Sequence, residues 1–390
     1  MNLIRKKDIS TLVFYIAYTC MVIYWMFSNV KYICDFREYF LYISFVGFLL
    51  VFITQSKQYA RKQFLCIFLC GIFLMISYIF SKEKSLLLLF FVVIASKGID
   101  FKNLVRYDFR IKIIFLIIVE LFYFGGLTNN YYMYRINGTL RSSMGFSHPN
   151  VFGVYIFSLC CEFVYLNYGK IKIYQAVLIL CLSFVVTYFS DSRGSQYGII
   201  ILLVLLLAIK PKKIEQIFKN KVIKSIIFSL FFIFTILSYV VANNYSNSNK
   251  YMVEINTALT GRVNLAAKFL DKYDVNLFGN KLEIVTTKES AETGKSTMVL
   301  DNAYLKILLN YGIIIDIIFG IMVTLSMKKA INNKDYVFCM IFILYLIRGI
   351  SGNILFSLYG NVFLIYISNY IYNKGSKEVL IDNEQDEKCG

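Results

Sequence analysis

The sequence predicts an all-α polytopic integral membrane protein, and three observations carry that prediction. Hydrophobic residues make up 58% of the 390, and mean hydropathy is +0.61. Apolar stretches recur along the chain, each bounded by lysine or arginine, where a soluble domain would alternate apolar with polar stretches. Only 2 prolines interrupt them. A hydrocarbon core takes roughly 20 apolar residues to cross as a helix. Helices suit that environment because they satisfy their own backbone hydrogen bonds.

Taken in order, the apolar runs place spans near 9–28, 39–54, 64–80, 85–96, 111–127, 149–168, 173–190, 195–209, 222–242, 303–326, 336–350 and 355–372, about twelve in all. SLLLLFFVVIAS, the run at 85–96, is short for a crossing and fits a tilted or half-inserted segment. The positive-inside rule orients the set with both termini cytoplasmic. Inner segments then hold Arg5, Lys6 and Lys7; Lys57, Arg61 and Lys62; Lys97, Lys102, Arg106, Arg110 and Lys112; and Lys170 and Lys172. Six lysines between 210 and 224 follow, then Lys328, Lys329 and Lys334, and the tail's Lys374, Lys377 and Lys388. The first span follows RKK without a small-residue cleavage site after it, so it reads as retained.

The organisation is one transmembrane domain over 1–372, with a long extracytoplasmic loop at 243–302 and an acidic, disordered cytoplasmic tail at 373–390. A net charge of +17 needs no nucleic acid as partner, since cytoplasmic lysines meet anionic membrane lipid. Most of the 9 cysteines lie inside spans and read as small apolar side chains. His148 is the single histidine, which argues against a Cys/His zinc centre. No glycine-rich phosphate loop or nucleotide fingerprint is present, so the chain is expected to work without metal or cofactor.

Three outer segments break the apolar pattern. The first, 128–150, carries Arg135 and Arg141 and ends on His148-Pro149-Asn150. Pro149 suits the first turn of the following helix, whose free N–H groups beside two arginines make an anion site; an ordinary helix cap is the competing reading. The second is SDSRGS at 190–195, a break so short that it holds Arg193 at a fixed depth below the outer surface. An arginine there is costly unless it faces a cavity or a partner. Asp191 is the nearest candidate for a private ion pair.

The third is the long loop. YMVEINTALTGRVNLAAKFLDKY, near 252–271, reads as one amphipathic helix, with Ile255, Leu259, Val263, Ala266 and Leu270 at helical spacing. Arg262 falls beside that apolar stripe, either snorkelling to lipid phosphates or aimed into a site. Asp301 and Asn302 stand where the chain re-enters the membrane. All three segments offer cations beside hydroxyl, amide or carboxylate groups. Arginine suits phosphate and pyrophosphate because its planar fork grips two oxygens and stays charged. Asp301 and His148 can each accept a proton from a hydroxyl. Glu120, Glu162, Asp316 and Arg348 lie within spans and read as structural or cavity-lining, with Arg348 available to pair with Asp316 or Glu120.

Four stretches, in order, resemble the bacterial O-antigen ligase and O-antigen/capsule polymerase family. RSSMGFSHPNVFG is similar to the family's R-x-x-x-G-F-x-x-P-N stretch, and SDSRGS to its S-R-G turn. TGRVNLAAKFLDKYDVNLFGNKL resembles its outer-loop G-R helix, and DNAYLKILLNYGIIIDIIF its H-N-x-Y-L-x-x-L-x-x-x-G re-entry segment. The match covers roughly residues 128–325. The resemblance implies a fold like that of the membrane-embedded, lipid-sugar-dependent glycosyltransferases. It also implies inverting, metal-independent sugar transfer between oligosaccharides carried on undecaprenyl pyrophosphate, at the outer face of a bacterial inner membrane, with a chain-length regulator protein as partner.

On that resemblance the ligases' two essential arginines map onto Arg193 and Arg262, which would steady the donor pyrophosphate. Arg141, Arg135, Asn150 and Asn302 fall in the same stretches as further substrate-binding candidates. The ligases' catalytic histidine maps onto Asp301, a departure that points from ligase toward repeat-unit polymerase and leaves the base open between Asp301 and His148. A flippase or polysaccharide exporter is the rival class that twelve spans also permit. Transporters commonly carry repeated halves and a midplane site, whereas here no repeat is visible and the candidates share one face.

Overall fold

The computed structural model describes residues 2–30, 36–56, 59–128, 132–135, 138–208, 211–286, 289–290 and 293–372, so the expected acidic tail lies outside the described residues. Helices dominate: α1 (Asn2–Asn29), α2 (Arg37–Gln55), α3 (Arg61–Ser81), α4 (Ser85–Ala95), α5 (Phe101–Phe124), α6 (Pro149–Asn167), α7 (Ile173–Val185), α8 (Arg193–Ala208), α9 (Pro211–Lys219) and α10 (Lys221–Asn243). After them come α11 (Lys250–Ala258), α12 (Arg262–Lys272), α13 (Ala303–Lys306), α14 (Ile313–Asn332), α15 (Tyr336–Gly349) and α16 (Ile367–Tyr372). Polar side chains set many of the starts. Asp100 accepts from the Asn103 amide, Asn220 from those of Val222 and Ile223, Asn249 from those of Tyr251 and Met252, and Asp335 from that of Phe338.

Among the described residues, 6 helices are long and apolar enough to cross a membrane by length and composition. Burial separates them. Over its most apolar window α6 is 72% buried within the protein and α3 only 17%. Phe64, Leu65, Phe68, Ile79 and Phe80 of α3 are exposed, a face that suits lipid and would be a liability in water. α6 instead lies at the centre, beside α8 and α15.

The structure is compatible with the expected all-α class; its one short sheet among the described residues is the antiparallel hairpin of β1 (Tyr132–Tyr134) and β2 (Leu140–Ser142), with Met133 opposite Arg141. Five expectations are corrected. The fifth span begins at Phe101, not 111, because Asp100 caps it there. Lys112 therefore lies along the helix and is 1% exposed, not an inner-leaflet anchor; its Nζ sits 2.7 Å from Asp108 and 2.6 Å from Glu162.

The expected amphipathic helix near 252–271 is two helices. Thr260 and Gly261 take positive φ of 55° and 84°, and the Gly261 amide closes back on the Asn256 carbonyl at 2.8 Å. The buried stripe is Val263, Ala266 and Phe269 of α12 alone, while Ile255 is exposed. The 303–326 span is likewise broken. α13 runs into a π-helical turn at Ile307–Tyr311 and stops at Gly312, whose φ is 90°. There the outer loop tucks in: Ile313 donates to the Asn276 carbonyl at 3.0 Å and Asn280 to that of Leu309 at 2.9 Å. Backbone of Leu277 and Gly279 fills the space a Cβ at Gly312 would need. Finally, 355–372 is no continuous helix. It consists of 3₁₀ turns at Asn353–Phe356 and Val362–Tyr366 followed by the short α16, largely buried against the other helices. Irregular backbone at that depth is tolerated where protein, not lipid, surrounds it.

Candidate functional site

The SDSRGS turn is the foundation. α7 ends in a π-helical turn at Val186–Ser190, Asp191 adopts a left-handed φ of 42°, and α8 starts at Arg193. Ser192 is buried against Gly153 of α6, in space that any side chain at 153 would occupy, and its Oγ bonds Ser195 Oγ at 3.2 Å. The turn is thereby seated on the central helix.

The hairpin clamps the turn from above. Arg135 donates through Nε to the Asp191 carboxylate and through Nη2 to the Asp191 carbonyl at 2.7 Å. Arg141, 7% exposed, donates through Nε to the Ser190 carbonyl at 2.8 Å and through Nη2 to Asn150 Oδ1 at 2.6 Å. Asp191 is thus spent mainly on Arg135, and the private Asp191–Arg193 pair is reduced to a 3.6 Å contact. Arg193 is 44% exposed, so its guanidinium projects from the turn.

His148 and Asn150 open α6 beside this clamp. His148 Nδ1 accepts the Asn150 backbone N–H at 3.0 Å, as a capping side chain does. Burial, together with neighbouring Arg141, lowers the His148 pKa to about 4. The ring is therefore neutral at physiological pH, with Nδ1 occupied as acceptor and the proton on Nε2. With Nδ1 engaged in the cap and the ring neutral, His148 offers no free acceptor in this arrangement, which favours Asp301 as the candidate base. Arg141, lowered to about 10 mainly by burial and the adjacent Arg135, remains charged.

Arg262 and Asp301 come from the long loop. Arg262 starts α12 directly after the Thr260–Gly261 break; its Nη1 donates to Thr260 Oγ1 at 3.0 Å, and its Nε lies 3.6 Å from Asp301 Oδ2. The α12 stripe anchors it: Ala266 and Phe269 pack with Ala242, Leu300, Leu305 and Leu309. Asn302 does not face a ligand. It is 8% exposed, its Oδ1 caps Leu305 at 3.0 Å and its Nδ2 donates to Ser238 Oγ at 3.0 Å. Both ends of its amide are committed, so its work is to hold Asp301 at the re-entry point.

These groups share one neighbourhood. Arg141 feels the charges of Arg135, Asp191, Arg262 and Arg193, and His148 those of Arg141, Asp301 and Arg262. Arg348 joins them: it feels Arg262 and Asp301 and forms no ion pair with Asp316 or Glu120 among the described residues, contrary to the expectation. The sequence signal for it was present, an arginine closing an apolar run. Its partner was misjudged because α8 brings Gly194 against its guanidinium and Gly198 against its stem. The cluster thus holds five guanidiniums (135, 141, 193, 262, 348) and two carboxylates (191, 301), a surplus of three positive charges. Such a surplus favours a multiply charged anion. No group of three or more His, Cys, Asp or Glu that could hold a metal ion occurs among the described residues. Comparisons with family models, with curated proteins and with solved structures gave no match.

Proposed function

We propose that this chain is a polymerase that joins undecaprenyl-pyrophosphate-linked oligosaccharide repeat units into a surface polysaccharide, at the outer face of a bacterial cytoplasmic membrane. The supporting observation is the unneutralised arginine cluster where three outer segments meet, beside exposed apolar helix faces suited to a lipid-borne substrate. In this reading the chain crosses about twelve times with both termini cytoplasmic. α4 and the broken 353–372 segment, both largely buried in protein, complete crossings too short for a straight helix.

The growing chain sits on one lipid diphosphate, gripped by Arg193 and Arg262. A hydroxyl oxygen of the next lipid-linked unit attacks the anomeric carbon from the opposite face, and the bond from that carbon to the diphosphate oxygen breaks. The electron pair leaves with the diphosphate, where fixed guanidiniums stabilise the charge that develops. Asp301 takes the hydroxyl proton, being a carboxylate 35% exposed at the mouth with no cap to serve. Its contact with Arg262 couples the base to the leaving-group side, so one arginine touches both halves of the reaction.

Purified protein with lipid-linked repeat units in detergent tests this directly. Polymer should form without nucleotide or added metal, and Asp301→Asn should stop it. Transport needs two compartments, so a chain that moves glycan across vesicles yet makes no polymer in detergent would overturn the reading in favour of a flippase.

A further inference from the structure

Arg348 closes α15 and is 9% exposed. Its Nε is buried without a hydrogen-bond partner, and Nη1 makes one bond, to Ser351 Oγ at 3.0 Å. A guanidinium carries five N–H donors. Among the described residues no carboxylate lies within ion-pair distance of this one. The bland account is a cation at a helix C-terminus, favoured by the dipole. Yet the local carbonyls are already taken, that of Arg348 by the Ser351 amide and that of Ile347 by the Ile350 amide. An uncompensated buried charge is costly, and folding alone does not explain its retention.

Its surroundings explain it better. The guanidinium reaches Gly194 with Nη1 foremost, in space a Cβ there would occupy, and its Cδ stands 3.5 Å from where a Cβ on Gly198 would be. Four residues apart, these glycines share one face of α8 and form a window in it. Arg193 precedes Gly194 in the chain, and Arg262 and Asp301 lie within electrostatic reach of Arg348. The glycine of SDSRGS thus has a use: Gly194 leaves room for an arginine arriving from another helix.

We propose that Arg348 is a further diphosphate-binding residue, reaching the anion site from the membrane side through the Gly194–Gly198 window. The proposal rests on the reading of the outer cluster as a diphosphate site. It adds a cation beneath that site, so that a bound diphosphate is held from below by Arg348 as well as from above by Arg193 and Arg262.

The test measures binding of inorganic pyrophosphate to the purified full-length chain in detergent by calorimetry, at several salt concentrations. Arg348→Met should weaken binding about tenfold or more, as loss of a charged hydrogen bond does, and flatten its salt dependence. Gly194→Ala keeps every arginine but displaces this one, so it should reproduce the loss even where Arg348→Met fails to fold. The double variant should bind no more weakly than Arg348→Met. Wild-type affinity and salt slope in Gly194→Ala or in folded Arg348→Met, or additive losses in the double variant, overturn the role of Arg348 while leaving the site reading intact. A wild-type chain that binds no pyrophosphate overturns the diphosphate reading itself, and this role with it.

Discussion

Two charge clusters in this molecule are built on opposite plans. Deep in the bundle, Lys112 Nζ meets Asp108 at 2.7 Å, Glu162 at 2.6 Å and Ser158 Oγ at 3.0 Å, so its ammonium is enclosed by partners from α5 and α6. Every charged member is 2% exposed or less. Where the hairpin, the SDSRGS turn and the start of α12 meet, arginines outnumber carboxylates, Arg193 is 44% exposed and Arg348 is under-bonded. The inner cluster encloses its one cation between two carboxylates away from solvent; the other keeps a surplus of positive charge with exposed members.

The comparison breaks most sharply at the outer cluster's exposed member. Arg193→Ala or Arg262→Ala should cut polymer formation by about 10²–10³-fold, the loss typical of a preorganised charge-stabilising group. Melting temperature in detergent should stay near wild type; a large drop would mean that these arginines also lock the fold.

The inner cluster should answer in the other currency. Lys112→Met leaves two buried carboxylates facing each other and should destabilise the fold by about 3–5 kcal/mol, read from detergent melting. Replacing the set together, Asp108→Leu with Lys112→Met and Glu162→Met, should recover most of that loss, because an apolar cluster needs no internal neutralisation. If the triple variant is no better than the single one, the cluster does more than lock helices.

Acid separates the clusters more gently. His148 is held at about 4 against an ordinary 6.5, so between those values an unfolded chain takes up a proton that the folded one refuses. Its share of stability is therefore complete above pH 6.5 and declines as pH falls toward 4. His148→Asn keeps a capping oxygen and should flatten the slope of melting temperature across that window. An unchanged slope would reassign the acid sensitivity to another group. Smallest of all, Gly261→Ala places a side chain at φ 84° and should cost about 1 kcal/mol, with Arg262 less firmly presented.

Much of the architecture could be read from residue order. Apolar runs bounded by lysines mark long apolar helices, and Pro149 marks the start of α6, because these signals act within a few residues of chain; the Asp100 cap acts at the same range but was passed over. The candidate arginines were legible for the same reason: a charge interrupting an apolar run is visible locally. The misreadings share one cause. The Thr260–Gly261 break, the stop at Gly312 and the burial of Lys112 each depend on contacts that follow from packing, such as loop backbone on Gly312 or Glu162 opposite Lys112. Periodicity cannot see a partner fifty residues away.

The linear chain decided that long apolar helices form and which guanidiniums interrupt them, since hydrophobicity and formal charge belong to each residue alone. Whether a given charge is neutralised or left over was settled by folding. Arg135 takes Asp191 away from Arg193, Asn302 turns inward to a cap, and two glycines of α8 admit Arg348 from another helix. Those outcomes depend on which side chains meet within a few ångströms, and that is a property of the packed bundle.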